Sequence, residues 1–280
     1  VSKRLSRVLL LVGCAAAGAA YLLLFVLSDM FAVPQRQLTP DRAASPPGIR
    51  IYLEPLSLDP IRDAMQLRIS AQPAIRSSGS PPVFDHGLVL RLIHDGVSER
   101  IDLPAGQSIV TTTTELDLGG GDVSHYPFDG FRSGLSIICL DQRTVRAIAI
   151  TTWERLIGFR LRTRIEPPEY PGGVTVSIVA RRTLAFRFFA VTIYGGMVVL
   201  AAAVLTIATL VFLGRRRPET TFLGALAAIV FALPALRNSL PGGPPLGEFA
   251  DMFIFLWSEL AAVAAFAMVT VMWALRGPPA

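Results

Sequence analysis

Glu259 is the residue whose chemistry most needs explaining. It stands in "DMFIFLWSELAAVAAFAMVTVMWAL", about eight residues into an apolar stretch, or ~12 Å along a helix. An acid at that depth in lipid is costly and requires a partner, which makes it a functional candidate. Arg237, Asn238 and Tyr194 fall at the same end of their own apolar stretches and are the partners expected for it. Asp251 and Trp257 flank the start of the segment. Such a set reads either as a structural bond holding the last two helices together or as a transport, proton-transfer or partner-binding group.

A second set is basic. Arg160, Arg162 and Arg164 alternate with Phe159, Leu161, Thr163 and Ile165, so a strand puts the three guanidinium groups on one face, with Arg155 nearby. That pattern fits a solvated sheet face or a patch for anionic lipid heads or wall polymer. The histidines, His86, His94 and His125, and acids such as Asp85, Asp95 and Asp129 are too scattered for a metal motif, and neither a metal nor another cofactor is expected. No nucleophile elbow or phosphate-binding loop is present, and "LGGG" at 118–121 reads as a turn. Cys14 and Cys139 fall in different predicted regions, which argues against a disulfide.

The third candidate is the turn in "SHYPFDGFRSGLSIICL", residues 124–140. Pro127 fixes its own backbone and biases Tyr126 towards an extended conformation. Tyr126 and Phe128 are costly to expose together. They should pack on their own domain's core, on the ends of membrane helices, or at the lipid interface where aromatic rings settle. Asp129 then caps the turn or pairs with an arginine. The expectation is that Tyr126-Pro127-Phe128-Asp129 faces the helix ends near Arg237 and the 241–247 loop.

Composition dictates what must position these groups. The chain is 52% hydrophobic and only 17% charged, against about a quarter charged in an ordinary soluble domain. The net charge of +5 is almost all arginine, since Lys3 is the only lysine. Much of it flanks apolar segments, as topology requires, and no basic helix or aromatic-basic module marks a nucleic-acid partner. Arginine without lysine, with abundant Ala, Gly and Pro, suggests a GC-rich bacterial genome.

Four apolar stretches punctuate the chain: Val8 to Leu27, Phe188 to Leu213, Thr221 to Leu236 with Pro234 inside it, and Met252 to Leu275. Lys3, Arg4 and Arg7 before the first, and Arg215, Arg216 and Arg217 after the second, place both positions in the cytoplasm. The first stretch reads as an uncleaved anchor; a cleaved signal peptide and a lipoprotein signal at Cys14 are the other readings. Between the first and second stretches, residues 49–54, 65–70, 110–116, 159–166 and 174–178 alternate apolar and polar with Gly and Pro breaks, the pattern of an antiparallel β-sandwich. The expected organisation is an N-terminal transmembrane anchor (1–28), a Pro-rich linker (29–47), an extracytoplasmic β-sandwich (48–185) and a three-helix transmembrane region (186–280). Residues 29–187 would lie outside the bacterial plasma membrane, with both termini in the cytoplasm.

Two resemblances attach to these residues. "YPFDGFRSGLSIICL" looks like the loop and following strand of pentameric ligand-gated ion channels, where an aromatic-Pro-Phe-Asp loop of a β-sandwich docks on membrane helices. That resemblance implies a domain–membrane coupling role for Tyr126, Pro127, Phe128 and Asp129. The channel family has four helices after the sandwich, whereas this chain has three after and one before. The whole layout, with "YPFD" at 126–129, "RNSLPGGPPLG" at 237–247 and "DMFIFLWSE" at 251–259, resembles an uncharacterised family of mycobacterial and related actinobacterial membrane proteins. It implies an architecture and no particular chemistry.

These observations lead to the expectation of a non-enzymatic accessory or scaffold protein of the cell envelope. It would contact membrane lipid and either other membrane subunits or further copies of itself. The alternatives are a channel-like oligomeric subunit with a ligand-sensing outer domain and a membrane enzyme using Glu259 or the His/Asp set.

Overall fold

The stretch His94-Asp95-Gly96-Val97 shows how local chemistry builds the strands. Asp95 and Gly96 both take positive φ, 47° and 79°, which is what a type I′ hairpin turn requires. The turn sets β4 (Leu88–His94) against β5 (Val97–Leu103), with His94 opposite Val97 and Leu88 opposite Leu103. In this computed structural model the described residues are 48–73, 83–141, 144–153 and 155–276, the strand at 35–38, and isolated positions between 13 and 23. The anchor expected over residues 1–28, with its alternatives of a cleaved signal peptide and a lipoprotein signal at Cys14, lies outside the described residues apart from those isolated positions.

Contacts divide the chain into two units: residues up to Gly121 with Gly130–Ala185, and Asp122–Asp129 with Phe186–Ala280. The first unit holds two sheets. One has the strand order β1 (Gln35–Leu38), β9 (Ile148–Trp153), β2 (Ile49–Asp59), β3 (Ala64–Pro73) and β6 (Val110–Asp117). The other runs β10 (Arg155–Leu156), β11 (Phe159–Glu166), β12 (Val174–Arg182), β7 (Gly130–Asp141), β4 and β5, with β8 (Thr144–Val145) on β7. Among the described residues all strand pairings are antiparallel except β2 with β9.

Period-two burial makes the core. Ile51, Leu53, Leu67, Ile69 and Leu116 from the first sheet and Leu90, Leu92, Leu135, Ile137 and Val176 from the second are essentially inaccessible. The Thr152 and Thr163 hydroxyls, one from each sheet, meet at 2.9 Å inside this layer, so two polar side chains are buried as a satisfied pair. At the end of β12, Arg182 is buried with its guanidinium 4.3 Å from the centroid of the Phe159 ring. Between Gly48 and Arg182 the described residues of this unit form no α-helix. One expectation changes here: Gln35–Leu38, inside the stretch read as a linker, is paired with Ile150–Trp153. The sequence QRQL carries no apolar alternation, so only its pairing reveals it as a strand.

The second unit is built on α1 (Leu184–Phe212), α2 (Thr220–Asn238) and α3 (Leu256–Arg276), the last preceded by a π turn at Asp251–Phe255. At 1.5 Å per residue the 29-residue α1 is about 43 Å long, more than a ~30 Å hydrocarbon layer. All three helices are long and apolar enough to cross a membrane. The buried positions of α1 are Ala190, Tyr194, Met197, Ala201, Val204, Ala208 and Val211. Their alternating spacing of four and three is a heptad seam, and its alanines let a neighbouring helix come close. Ser258, Ala262, Ala265, Val269 and Met272 repeat the pattern on α3. The helices' other faces are also apolar, with Val199, Phe231, Phe253 and Trp257 well exposed. A helix apolar all round belongs in an apolar solvent. The protein is thus of the α+β class: two sheets stacked as in a sandwich, and three C-terminal helices suited to a membrane.

Candidate functional site: a buried polar clamp and the Tyr126–Asp129 loop

The loop between β6 and β7 is shaped by its own polar side chains. Asp122 caps a 3₁₀ turn at Val123–His125: the Ser124 amide donates to its Oδ1 at 2.9 Å, and His125 Nδ1 lies 2.9 Å from its Oδ2. These hydrogen bonds, those from Ser124 foremost, hold the Asp122 carboxyl below its usual range. The Tyr126–Pro127 peptide bond is cis. Tyr126 is a core residue of the helical unit, only 3% exposed. Its ring sits edge-on to Phe186 at 5.8 Å, and its hydroxyl donates to the Pro241 carbonyl at 2.9 Å. His125 packs edge-on against Phe249 at 5.1 Å.

Phe128 is not covered by protein: it is 63% exposed, and the Arg187 guanidinium lies 5.7 Å from its ring centroid. With Tyr126 filling the core, Phe128 on the other side of Pro127 is left outside it. Asp129 is buried.

The polar cluster forms around a different acid from the one expected. Arg237, in the last turn of α2, donates through Nε to Asp251 Oδ1 at 3.1 Å and through Nη2 to Asp251 Oδ2 at 2.5 Å. Its Nη2 also donates to the Pro245 carbonyl at 2.8 Å. Tyr194, on α1, donates its hydroxyl to Asp251 Oδ1 at 3.1 Å, and the Gly247 amide lies 3.4 Å from Oδ2. Arg237, Tyr194 and Asp251 are all buried. The bidentate geometry is the strong form of an ion pair, and each carboxylate oxygen has at least two donors. A carboxylate so occupied is poorly placed to accept a substrate proton; the arrangement ties three elements to one acid.

Glu259 is not part of this clamp. It follows Asp251 by eight residues, about 12 Å of helix, and its buried Oε2 meets no hydrogen-bond donor among the described residues. Asn238 is exposed at the end of α2 and takes no part either. The reason is connectivity. The 239–250 loop returns the chain so that the first acid of the next helical segment, not one two turns deeper, meets Arg237. The sequence signal for Asp251 was available: opposite charges stand at the two helix ends that this loop joins.

Arg160, Arg162 and Arg164 are exposed on one face of β11. The histidines are apart: His86 Nε2 lies 3.0 Å from Asp141 Oδ2, His94 lies 3.5 Å from the Thr114 hydroxyl, and His125 is in the loop. Among the described residues no three His, Cys, Asp or Glu side chains gather as a metal site.

Residues 182–276 match a family described as domain of unknown function DUF8686. No curated protein matches the chain. Residues 39–179, half of the chain and nearly all of the strand-bearing unit, match the family described as domain of unknown function DUF4436. On that match the chain belongs to the DUF4436 family.

Proposed function

We propose that this protein is a non-catalytic accessory or scaffold component of a bacterial cell envelope, anchored by its helices in the plasma membrane and presenting its β domain on the outer side. In this reading the Arg215–Arg217 loop and both termini are cytoplasmic. The Tyr126–Asp129 loop and the Arg237–Asp251 clamp are then on the outer side.

One observation carries the reading. The buried ion pair of the helical unit is engaged in holding helices and a loop together, with Asp251 accepting from Arg237, Tyr194 and Gly247. The heptad seams with small residues on α1 and α3 add helix surfaces suited to close association. An enzyme built on the histidines lacks support, because the three are engaged in separate places. A channel-like subunit is disfavoured by α1, whose Thr192, Thr206 and Thr209 hydroxyls each donate to the carbonyl four residues earlier. They leave little polar surface for a pore.

Affinity purification of the full chain in mild detergent tests the proposal. A stoichiometric set of different membrane subunits is expected. A ring of identical chains would favour the channel reading, and a solitary chain with a measurable turnover would overturn the accessory role.

A further inference from the structure

The three arginines of β11 belong to a larger array. Strand register puts Arg160 opposite Arg181, Arg162 opposite Val179 and Arg164 opposite Ser177. One strand further, Val179 faces Arg132, with Gly130 and Gly134 in the neighbouring rows. Arg132, Arg160, Arg162, Arg164 and Arg181 are all exposed, so five guanidinium groups occupy three successive rows of three strands. Those rows contain no acid. Among the described residues Arg132, Arg162, Arg164 and Arg181 have no ion-pair partner.

This array is unfavourable for folding. Like charges directly opposite in a sheet destabilise it, and same-face neighbours along a strand are only about 7 Å apart, inside the ~10 Å Debye length at moderate salt. Small side chains, Gly130, Gly134 and Ser177, fill the positions between them. A Cβ added at Gly134 would meet nothing within 4 Å. Arginine presents a planar fork that suits phosphate oxygens. Only Thr183 separates β12 from α1 along the chain, so three residue steps, at most about 11 Å of chain, join Arg181 to a helix suited to a membrane.

We propose that this face of β7, β11 and β12 is a docking surface for the phosphate headgroups of anionic phospholipids. It rests on the reading above that the helices lie in a bilayer, and it adds the chemical class that the β domain recognises.

The test uses the full chain in nanodiscs of zwitterionic phosphatidylcholine, or of the same lipid mixed with phosphatidylglycerol. Arginines are modified with phenylglyoxal and located by mass spectrometry. Each arginine at an anionic surface is worth about a fivefold factor. Arg162, Arg164 and Arg181 should therefore react about fivefold more slowly in the anionic discs, with protection lost at high salt. Arg62, on the β2–β3 turn and 82% exposed, serves as the unprotected reference. Replacing Arg162→Glu and Arg164→Glu should release Arg181 from protection. Rates that ignore lipid charge, or Arg181 still protected in the variant, overturn the proposal. Equal protection by inorganic phosphate in zwitterionic discs does so as well, by showing a free-anion site. Failure of the chain to enter discs at all would strike the membrane reading instead, so the two are separable.

Discussion

At the scale of single residues, Asp251 makes the sharpest prediction. Asp251→Ala would leave the Arg237 guanidinium buried without its counter-charge, and breaking a buried pair on one side costs about 3–5 kcal/mol. Replacing both, Arg237→Met with Asp251→Leu, should recover most of that loss. Thermal unfolding in detergent distinguishes the cases: equal losses in the single and double variants would show that the two residues are not coupled. The sequence points to Arg237 and Tyr194 but pairs them with Glu259, because depth in the apolar stretch ranks Glu259 as the costlier acid. Depth ranks how expensive an acid is; it does not say which acid a returning loop brings to an arginine. A second residue-scale effect is pH-dependent. Arg146, donating to Asp141, and then His86 hold the Asp141 carboxyl below its usual range. A carboxyl depressed in the folded state stabilises above its unfolded pKa of about 3.9 and loses that contribution as pH falls through the folded value. Asp141→Asn should therefore flatten the decline of stability with acid below about pH 4. Buried Cys139, whose thiol is pushed up to about 12 mainly by desolvation, reports this unfolding through the rate at which an acid-tolerant disulfide reagent reaches it. An unchanged pH profile in Asp141→Asn would remove Asp141 as the titrating group.

At the scale of elements, the alternating strands β2, β3, β6, β11 and β12 were legible because each has one face in the core and one in water. The hairpin β4–β5 lies outside the alternating stretches, although its Asp-Gly turn is a strong signal. The heptad seam of α1 was not legible: with nearly every residue apolar, the sequence offers no contrast between the packed face and the outer one. The loop between β6 and β7 depends on how β7 starts. A Cβ at Gly121 would stand 2.0 Å from Phe131 Cδ1, and Phe131 is only 1% exposed and cannot easily yield. Gly121→Ala should cost about 1–3 kcal/mol by overpacking, seen as faster amide exchange in β7. Exchange no faster than in the parent would mean that the 118–121 turn shifts freely. Within the loop, Tyr126→Phe removes the hydroxyl and its bond to Pro241 and should cost about 1 kcal/mol. Tyr126→Ala also empties a core position and should cost about 3 kcal/mol or more. Equal costs would assign the whole contribution of Tyr126 to its hydroxyl.

At the scale of the whole molecule, the heptad seams, the clamp and the Tyr126 plug all presuppose that the outer faces of the helices meet lipid, and this fixes what orientation must be measured. The chain has two short connections between its helices, with very different chemistry. Gly214 to Glu219 carries Arg215, Arg216 and Arg217, whereas residues 239–250 are rich in Gly and Pro and contain Glu248 as their only charge. In the topology proposed above, the arginines keep the first loop on the cytoplasmic side, and with one crossing helix between the loops the second emerges opposite. A cysteine introduced at Arg216 should then be protected from a membrane-impermeant maleimide in intact cells and react only after permeabilisation, while one at Gly243 reacts in both. Gly243 is suited to the purpose because a side chain there would meet no neighbouring atom within 4 Å, although its φ of 53° adds some strain. Labelling at Arg216 without permeabilisation would invert the topology. The clamp and the Tyr126–Asp129 loop would then lie on the cytoplasmic side, and the envelope role proposed for the β domain would fail with them.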